Sequence, residues 1–158
     1  MSGIEIDVDG VLRQHSDMVY KIALSQTKNR ADAEDVFQEV FLRLVKHQKK
    51  IQSEEHLKAW LIRVALNCCK KHFTRSKREA ALPLDIPRAA PRENGVYQAV
   101  LELPHKYRAV IHLFYYEGFS VKEIGELPNS KESTVKSRLF RGRAMLRERL
   151  RGEGGDYV

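Results

Sequence analysis

Residues 120–146, SVKEIGELPNSKESTVKSRLFRGRAML, read as two short helices broken by a turn, the second of them strongly basic. Ser120, followed three residues later by Glu123, is a capping box, in which each side chain satisfies the other residue's backbone N–H at the start of a helix. Val121, Ile124 and Leu127 give that helix an inward face. Pro128 stops it, and Asn129 tolerates the left-handed backbone that a tight corner between two helices often needs. With about 100° of rotation per residue, Val135, Leu139, Gly142, Leu146 and Leu150 share one face of the second helix. Ser133, Lys136, Ser137, Phe140, Arg141 and Ala144 fall on the other. One face is built to pack, and the other is left for phosphates and base edges.

An amphipathic hairpin with a merely solvated basic face would carry the same charge. Phe140 separates the two readings, because it stands about 120° from the centre of the apolar stripe, beside Lys136, Ser137 and Arg141. A phenylalanine in that position is explained by a partner such as a thymine methyl group. The candidate duplex contacts on this helix are Ser133, Thr134, Lys136, Ser137, Arg138, Phe140 and Arg141.

The rest of the chain agrees with a polyanionic partner. Its 28 Lys and Arg outnumber 21 Asp and Glu, for a net charge of +7 and a pI near 9.5. The excess is local. Arg63, Lys70, Lys71, Arg75, Lys77 and Arg78 follow one another with no acid between them, whereas Asp32, Glu34, Asp35 and Glu39 cluster upstream. The start, MSGIEIDVDG, carries acids where a secretory leader has a basic region and an apolar run. No stretch has the length of a membrane span, so a cytoplasmic protein is expected. The only cysteines, Cys68 and Cys69, are adjacent and cannot form an ordinary disulfide without distortion.

Apolar residues recur at helical spacing through 11–24, 36–45, 57–73, 96–103 and 110–116, with no lasting alternation, so an all-α fold is expected. The pattern fails between Arg78 and Gly95, where three prolines and scattered charges mark an extended linker. Two small helical domains follow, at 7–77 and 95–151, joined by a linker at 78–94, with a frayed end after Arg151.

In the first domain, Phe37, Val40, Phe41 and Leu44 are expected to form the core face of one helix, with Asp35, Gln38, Glu39 and Leu42 opposite. Leu42 amid acids and a glutamine fits a protein contact with an apolar anchor and polar rim, or a solvated face with an incidental leucine. The next long helix buries Leu57, Leu61, Val64 and Cys68 and sets Arg63, Asn67, Lys70 and Thr74 along another face. Asparagine amid cations suits a base edge flanked by phosphates, although a solvated basic helix end would look alike. Trp60 at the stripe's edge reads as a buried anchor ahead of a base-stacking residue.

Enzyme chemistries lack their parts. The clustered carboxylates have no matched pair on a second helix to hold Mg²⁺, and Cys68 with His72 is at most half a zinc site with no second half. No nucleophile stands in a motif with a histidine and an orienting acid, and no glycine-rich phosphate loop exists. Neither metal nor cofactor is expected.

In combination these segments resemble the sigma-70 family of RNA polymerase sigma factors, in its extracytoplasmic-function (ECF) group, which is built only from domains two and four. DAEDVFQEVFLRL (32–44) is similar to the segment by which domain two grips the clamp helices of the polymerase β′ subunit, which implies core-binding roles for Asp35, Gln38, Glu39 and Leu42. AWLIRVALN (59–67) resembles the helix that melts and reads the −10 element, implying contacts there for Arg63, Asn67, Lys70, Lys71 and Thr74. LPHKYRAVIHLFYYEGFSVKEI (103–124) followed by STVKSRLFRGR (133–143) looks like domain four, which reads the −35 element and meets the β flap. The resemblance also implies promoter DNA and an anti-sigma factor as partners, and no small-molecule substrate. It departs from the family at the helix-turn-helix corner, where Pro128-Asn129 replaces a common leucine-glycine and Lys131-Glu132-Ser133 a common serine-x-glycine. A free-standing helix-turn-helix regulator of the LuxR-like type is the alternative. It would need a receiver domain, a ligand pocket or a dimer interface, which the N-terminal half does not suggest.

Overall fold

Polar residues at helix ends decide how the N-terminal half closes. In the computed structural model, residues 5–78, 95–127 and 130–152 are described, the side chains of 74–78 excepted. The linker at 79–94, the Pro128-Asn129 corner and the last six residues lie outside the described residues. Helix α1 (Val8–Thr27) places Val11, His15, Val19, Ile22 and Gln26 on one buried line at helical spacing. Its last turn is buried all round, so its hydroxyls are satisfied locally: Ser25 donates to the Ile22 carbonyl at 2.8 Å and Thr27 to that of Ala23 at 2.9 Å. Lys28 ends the helix in the left-handed region, φ 65°, with its N–H donating to the Leu24 carbonyl.

Asn29 then caps α2 (Arg30–His47), its side-chain oxygen accepting from the Asp32 N–H at 2.8 Å. The buried line of α2 is Ala33, Val36, Val40 and Leu44. This corrects the expected core face by one position: Val36 is fully buried, whereas Phe37 sits at the margin, edge-on to Tyr20 and tilted against Phe41. A wheel cannot choose between two adjacent apolar residues when both lie near the stripe, and the smaller one fits the tight α1–α2 seam. After a 3₁₀ turn at Gln48–Lys50, buried Ile51 anchors the connection. Helix α3 (Glu54–Arg78) then opens on a reciprocal cap: Ser53 accepts from the His56 N–H, and His56 Nδ1 accepts from the Gln52 N–H, both at 3.0 Å. α3 buries Leu57, Leu61, Val64 and Cys68 as expected, together with Trp60, Ile62, Ala65 and Cys69. Cys69 is fully buried beside Cys68, because α3 packs against both α1 and α2 and so has a wide apolar arc.

The C-terminal half forms a second unit of α4 (Val96–Leu101), α5 (His105–Ile111), α6 (Val121–Gly125) and α7 (Glu132–Gly152). Arg108 is buried in it and donates to the Leu101 and Leu103 carbonyls at 3.0 and 2.7 Å, tying the α4 end to α5. The helix expected over 110–116 is instead the end of α5 running into a π turn at His112–Tyr116, closed by Glu117 N–H donating to the His112 carbonyl. His112 is buried, 2.8 Å from the Glu117 carboxylate and stacked on Tyr116, which meets Tyr97 edge-on. Burial first, then the neighbouring Tyr116 and Glu117, push the Tyr97 phenol up to about 12.

Candidate nucleic-acid interface

The capping box read from the sequence is present: Ser120 Oγ accepts from the Glu123 N–H at 3.0 Å, and Glu123 Oε1 accepts from the Ser120 N–H at 2.9 Å. It fixes the start of α6, whose Ile124 is buried while Val121 and Leu127 are only half covered. Gly125 is what lets α6 approach α7. A Cβ there would stand 2.8 Å from the Glu132 backbone nitrogen, inside any real contact distance. Gly142 does the same against α5, where a Cβ would lie 3.1 Å from Ile111 Cγ1. Val135 and Leu139 complete the buried stripe of α7.

The opposite side of α7 carries the residues assigned to duplex reading. Ser133, Lys136, Ser137, Phe140 and Arg141 are exposed, Phe140 by 70 %, and Thr134 and Arg138 are half-buried. Ser133, Thr134, Ser137, Arg138 and Arg141 line a cavity of about 370 Å³ together with Lys106 and Tyr107 from the start of α5. Lys136 and Phe140 stand outside it. The groove holds four hydroxyls and three cations, donors suited to phosphate oxygens and base acceptors. The neighbouring Arg141, and Lys106 to a smaller degree, draw the Tyr107 phenol below its ordinary pKa. The sequence reading missed Lys106 and Tyr107, because the α5–α7 crossing that brings them to the face depends on Gly142.

A second aromatic cluster was also missed. Arg143 donates to the Tyr115 hydroxyl at 2.6 Å and lies over the Phe114 and Tyr115 rings, leaving Tyr115 53 % exposed.

In the N-terminal unit, Asn67, Lys70 and Lys71 are exposed on α3 and Arg63 is half-buried, whereas the Thr74 side chain lies outside the described residues. Trp60 is buried beside His47, in keeping with an anchor. Burial raises the Cys68 thiol pKa, and no group of three potential metal ligands occurs among the described residues. His72 turns inward, its Nδ1 3.2 Å from the Asp32 carboxylate. Asp32 is itself buried and accepts from the Asn29 amide at 2.8 Å, so the expected surface cluster of four acids loses one member to the core. On the exposed face of α2, Asp35, Gln38 and Leu42 are open, Leu42 by 59 %. Glu39 is half-buried and paired to Arg43 at 2.9 Å, an interaction that lowers its carboxyl pKa. Val45, exposed by 49 % one turn beyond Leu42, extends the apolar spot.

Known proteins share both halves. Residues 11–79 match Sigma-70 region 2, and residues 94–146 match Sigma-70, region 4. The chain is 30 % identical to the ECF RNA polymerase sigma factor SigW of Bacillus subtilis, over 87 % of this chain and 85 % of SigW. It is 31 % identical to SigM of the same organism, over 89 % of this chain and 93 % of SigM. The ECF sigma factor SigE of Mycolicibacterium smegmatis is 36 % identical over 90 % of this chain, which spans 61 % of that protein. In fold, the sigma factor RpoE of Bartonella quintana, solved in complex with the anti-sigma factor NepR, is similar with a TM-score of 0.72, covering 90 % of this chain and 96 % of that one at 23 % identity. CnrH in complex with the cytosolic domain of CnrY gives 0.71, covering 92 % and 88 % at 22 % identity. With region 2 and region 4 in order along one chain and relatives of matching length, the protein belongs to the sigma-70 family of RNA polymerase sigma factors, in its ECF group.

Proposed function

We propose that this chain is a promoter-recognition subunit of RNA polymerase: it binds the core enzyme, which supplies the chemistry, and directs initiation by reading two promoter elements. The observation that carries the reading is the face of α7, where Lys136, Ser137, Phe140 and Arg141 are exposed behind a buried Val135–Leu139 stripe. A free-standing LuxR-like regulator is not favoured, because residues 11–79 belong to region 2.

In this reading 7–77 acts as domain two and 95–151 as domain four, with 78–94 as the tether. Leu42 and Val45 on α2 anchor the β′ clamp helices, with Asp35 and Gln38 beside them facing a basic partner surface. Asn67 contacts a base edge of the −10 element, while Arg63, Lys70, Lys71 and Thr74 hold the backbone. Unpairing costs a few kcal/mol per extruded base, and stacking and hydrogen bonds in a domain-two pocket offset it. The 48–56 connection, braced by buried Ile51 and the Ser53–His56 cap, forms a wall of that pocket. Domain four reads the −35 duplex with α7 and meets the β flap. An anti-sigma factor, the class of partner that Bartonella quintana RpoE is solved with, is the regulator assigned here, and the site of action is the cytoplasm. Co-elution of the purified chain with core polymerase in gel filtration is the expected result. Separate elution at micromolar concentration would contradict the assignment.

A further inference from the structure

The groove beside the reading face has walls from two helices, and that decides which part of a duplex can enter it. Lys106 and Tyr107 stand on its α5 wall, and Thr134 and Arg138, one turn apart, on its α7 wall. Tyr107, Thr134 and Arg138 are half-buried at the bottom, whereas Lys106, Ser137 and Arg141 are exposed at the rim. No acid lines it. Both walls are fixed. Gly142 admits α5 so closely that a Cβ there would lie 3.1 Å from Ile111 Cγ1 and 3.6 Å from Tyr107 Cβ. Buried Arg108, the residue after Tyr107, donates to the Leu101 and Leu103 carbonyls, and Arg149 on α7 donates to the Glu102 carbonyl at 3.2 Å. Lys106 Nζ lies 5.1 Å from the Tyr107 ring centroid, which seats the ammonium on the α5 wall.

A helix with its side chains is about 10–12 Å across, and the major groove of a duplex is about 12 Å wide, so a recognition helix fills the groove it enters. Packed helices lie about 8–10 Å apart, axis to axis. With α7 in the major groove, a side chain carried by α5 therefore stands beyond the groove edge, over the phosphate ridge. Lysine is a point charge on a flexible stem, and it binds phosphate without needing a fixed plane. Resting on the promoter-reading assignment of α7, we propose that the α5–α7 groove seats one backbone phosphate of the promoter duplex, held by Lys106 from the α5 side and Arg138 from the α7 side. The Tyr107 and Thr134 hydroxyls are further donors to it. This contact sets the register of α7 on the duplex and leaves Ser137, Phe140 and Arg141 to the bases. Lys106 thereby adds affinity without adding sequence preference.

The test uses holoenzyme reconstituted from core polymerase and the full chain, titrated with a promoter duplex that it selects from a randomised library, and with that duplex after its upstream element is scrambled. Affinities are measured between about 50 and 200 mM salt, and each upstream phosphate is replaced singly by an uncharged methylphosphonate. Lys106→Ala is expected to weaken both duplexes by the same factor, at unchanged melting temperature, and to lower the slope of log affinity against log salt by about 0.9. At one phosphate the methylphosphonate should weaken binding by wild type and add nothing in Lys106→Ala, and Lys106→Arg should restore both the slope and that loss. Methylphosphonate losses that are the same in wild type and Lys106→Ala at every position would overturn the seat. So would a Lys106→Ala that flattens preference at a base pair and leaves the slope unchanged. In either case the reading of α7 stands if scrambling the upstream element still weakens wild type. If scrambling costs wild type nothing, the α7 assignment itself falls, and the inference with it.

Discussion

Phe140 is the residue whose placement carries most weight, because exposure of 70 % on a folded helix is unusual for a large apolar side chain and leaves it little to lose by truncation. Phe140→Ala is expected to change stability by less than about 0.5 kcal/mol, with promoter-duplex affinity reduced; thermal melts and a binding titration on one preparation decide it. A core phenylalanine would instead cost about 3–5 kcal/mol. His15 gives a prediction of a different kind. Desolvation first, and Lys58 to a smaller degree, hold its pKa below the ordinary 6.5 against the opposing pull of Glu54. As pH falls below that value, the unfolded chain takes up a proton that folded His15 refuses, so stability should decline down to the depressed folded pKa. Urea melts across the acid range should show this slope, and His15→Leu should flatten it. A slope identical in the variant would remove His15 as its source. Such residues divide by legibility. Phe140 could be placed from the wheel because the stripe on α7 is unambiguous, whereas buried Asp32 could not be told from its acidic neighbours without the His72 and Asn29 partners that α3 and the α1–α2 corner bring to it.

At the scale of elements, the sequence was read most securely where a local hydrogen-bond code exists. Ser120 and Glu123 set the start of α6 wherever the rest of the chain goes, and so could be read directly. The π turn at His112–Tyr116 and the close approach at Gly125 depend on neighbours that arrive from elsewhere, and no periodicity announces them. Gly125 tests the difference between local propensity and packing. Alanine is the better helix former by up to about 1 kcal/mol, but its methyl would stand 2.8 Å from the Glu132 nitrogen. Gly125→Ala is therefore expected to destabilise the C-terminal unit by about 1–3 kcal/mol and to weaken duplex binding by tilting α7. A raised melting temperature would show that the α6–α7 corner can open at no penalty. On α2, Leu42→Arg puts a charge at the centre of an exposed apolar spot. It should leave helicity intact by circular dichroism and reduce core-polymerase retention in a pull-down, and Val45→Asp should do the same. Retention equal to wild type in both would discard the α2 face as the docking surface.

At the scale of the whole molecule, the division of labour follows from how charge and apolar surface are distributed along a small chain. Exposed apolar residues with few cations mark α2, cations with an asparagine mark α3, and cations with hydroxyls and a phenylalanine mark α7. The first is suited to protein and the other two to nucleic acid, and one chain bearing all three can bring a polymerase to a promoter. The all-α architecture was legible because each helix repeats its apolar residues at its own period. Which base each contact selects was not, since that is fixed by how exposed side chains such as Arg141 are oriented once a duplex arrives. The most direct measurement is transcript mapping on sheared bacterial genomic DNA with core polymerase, with and without the full chain. The account predicts new 5′ ends preceded at constant spacing by two shared motifs, the downstream one lost with Asn67→Ala and the upstream one relaxed with Arg141→Ala. Transcripts whose start sites are the same with and without the chain would contradict it.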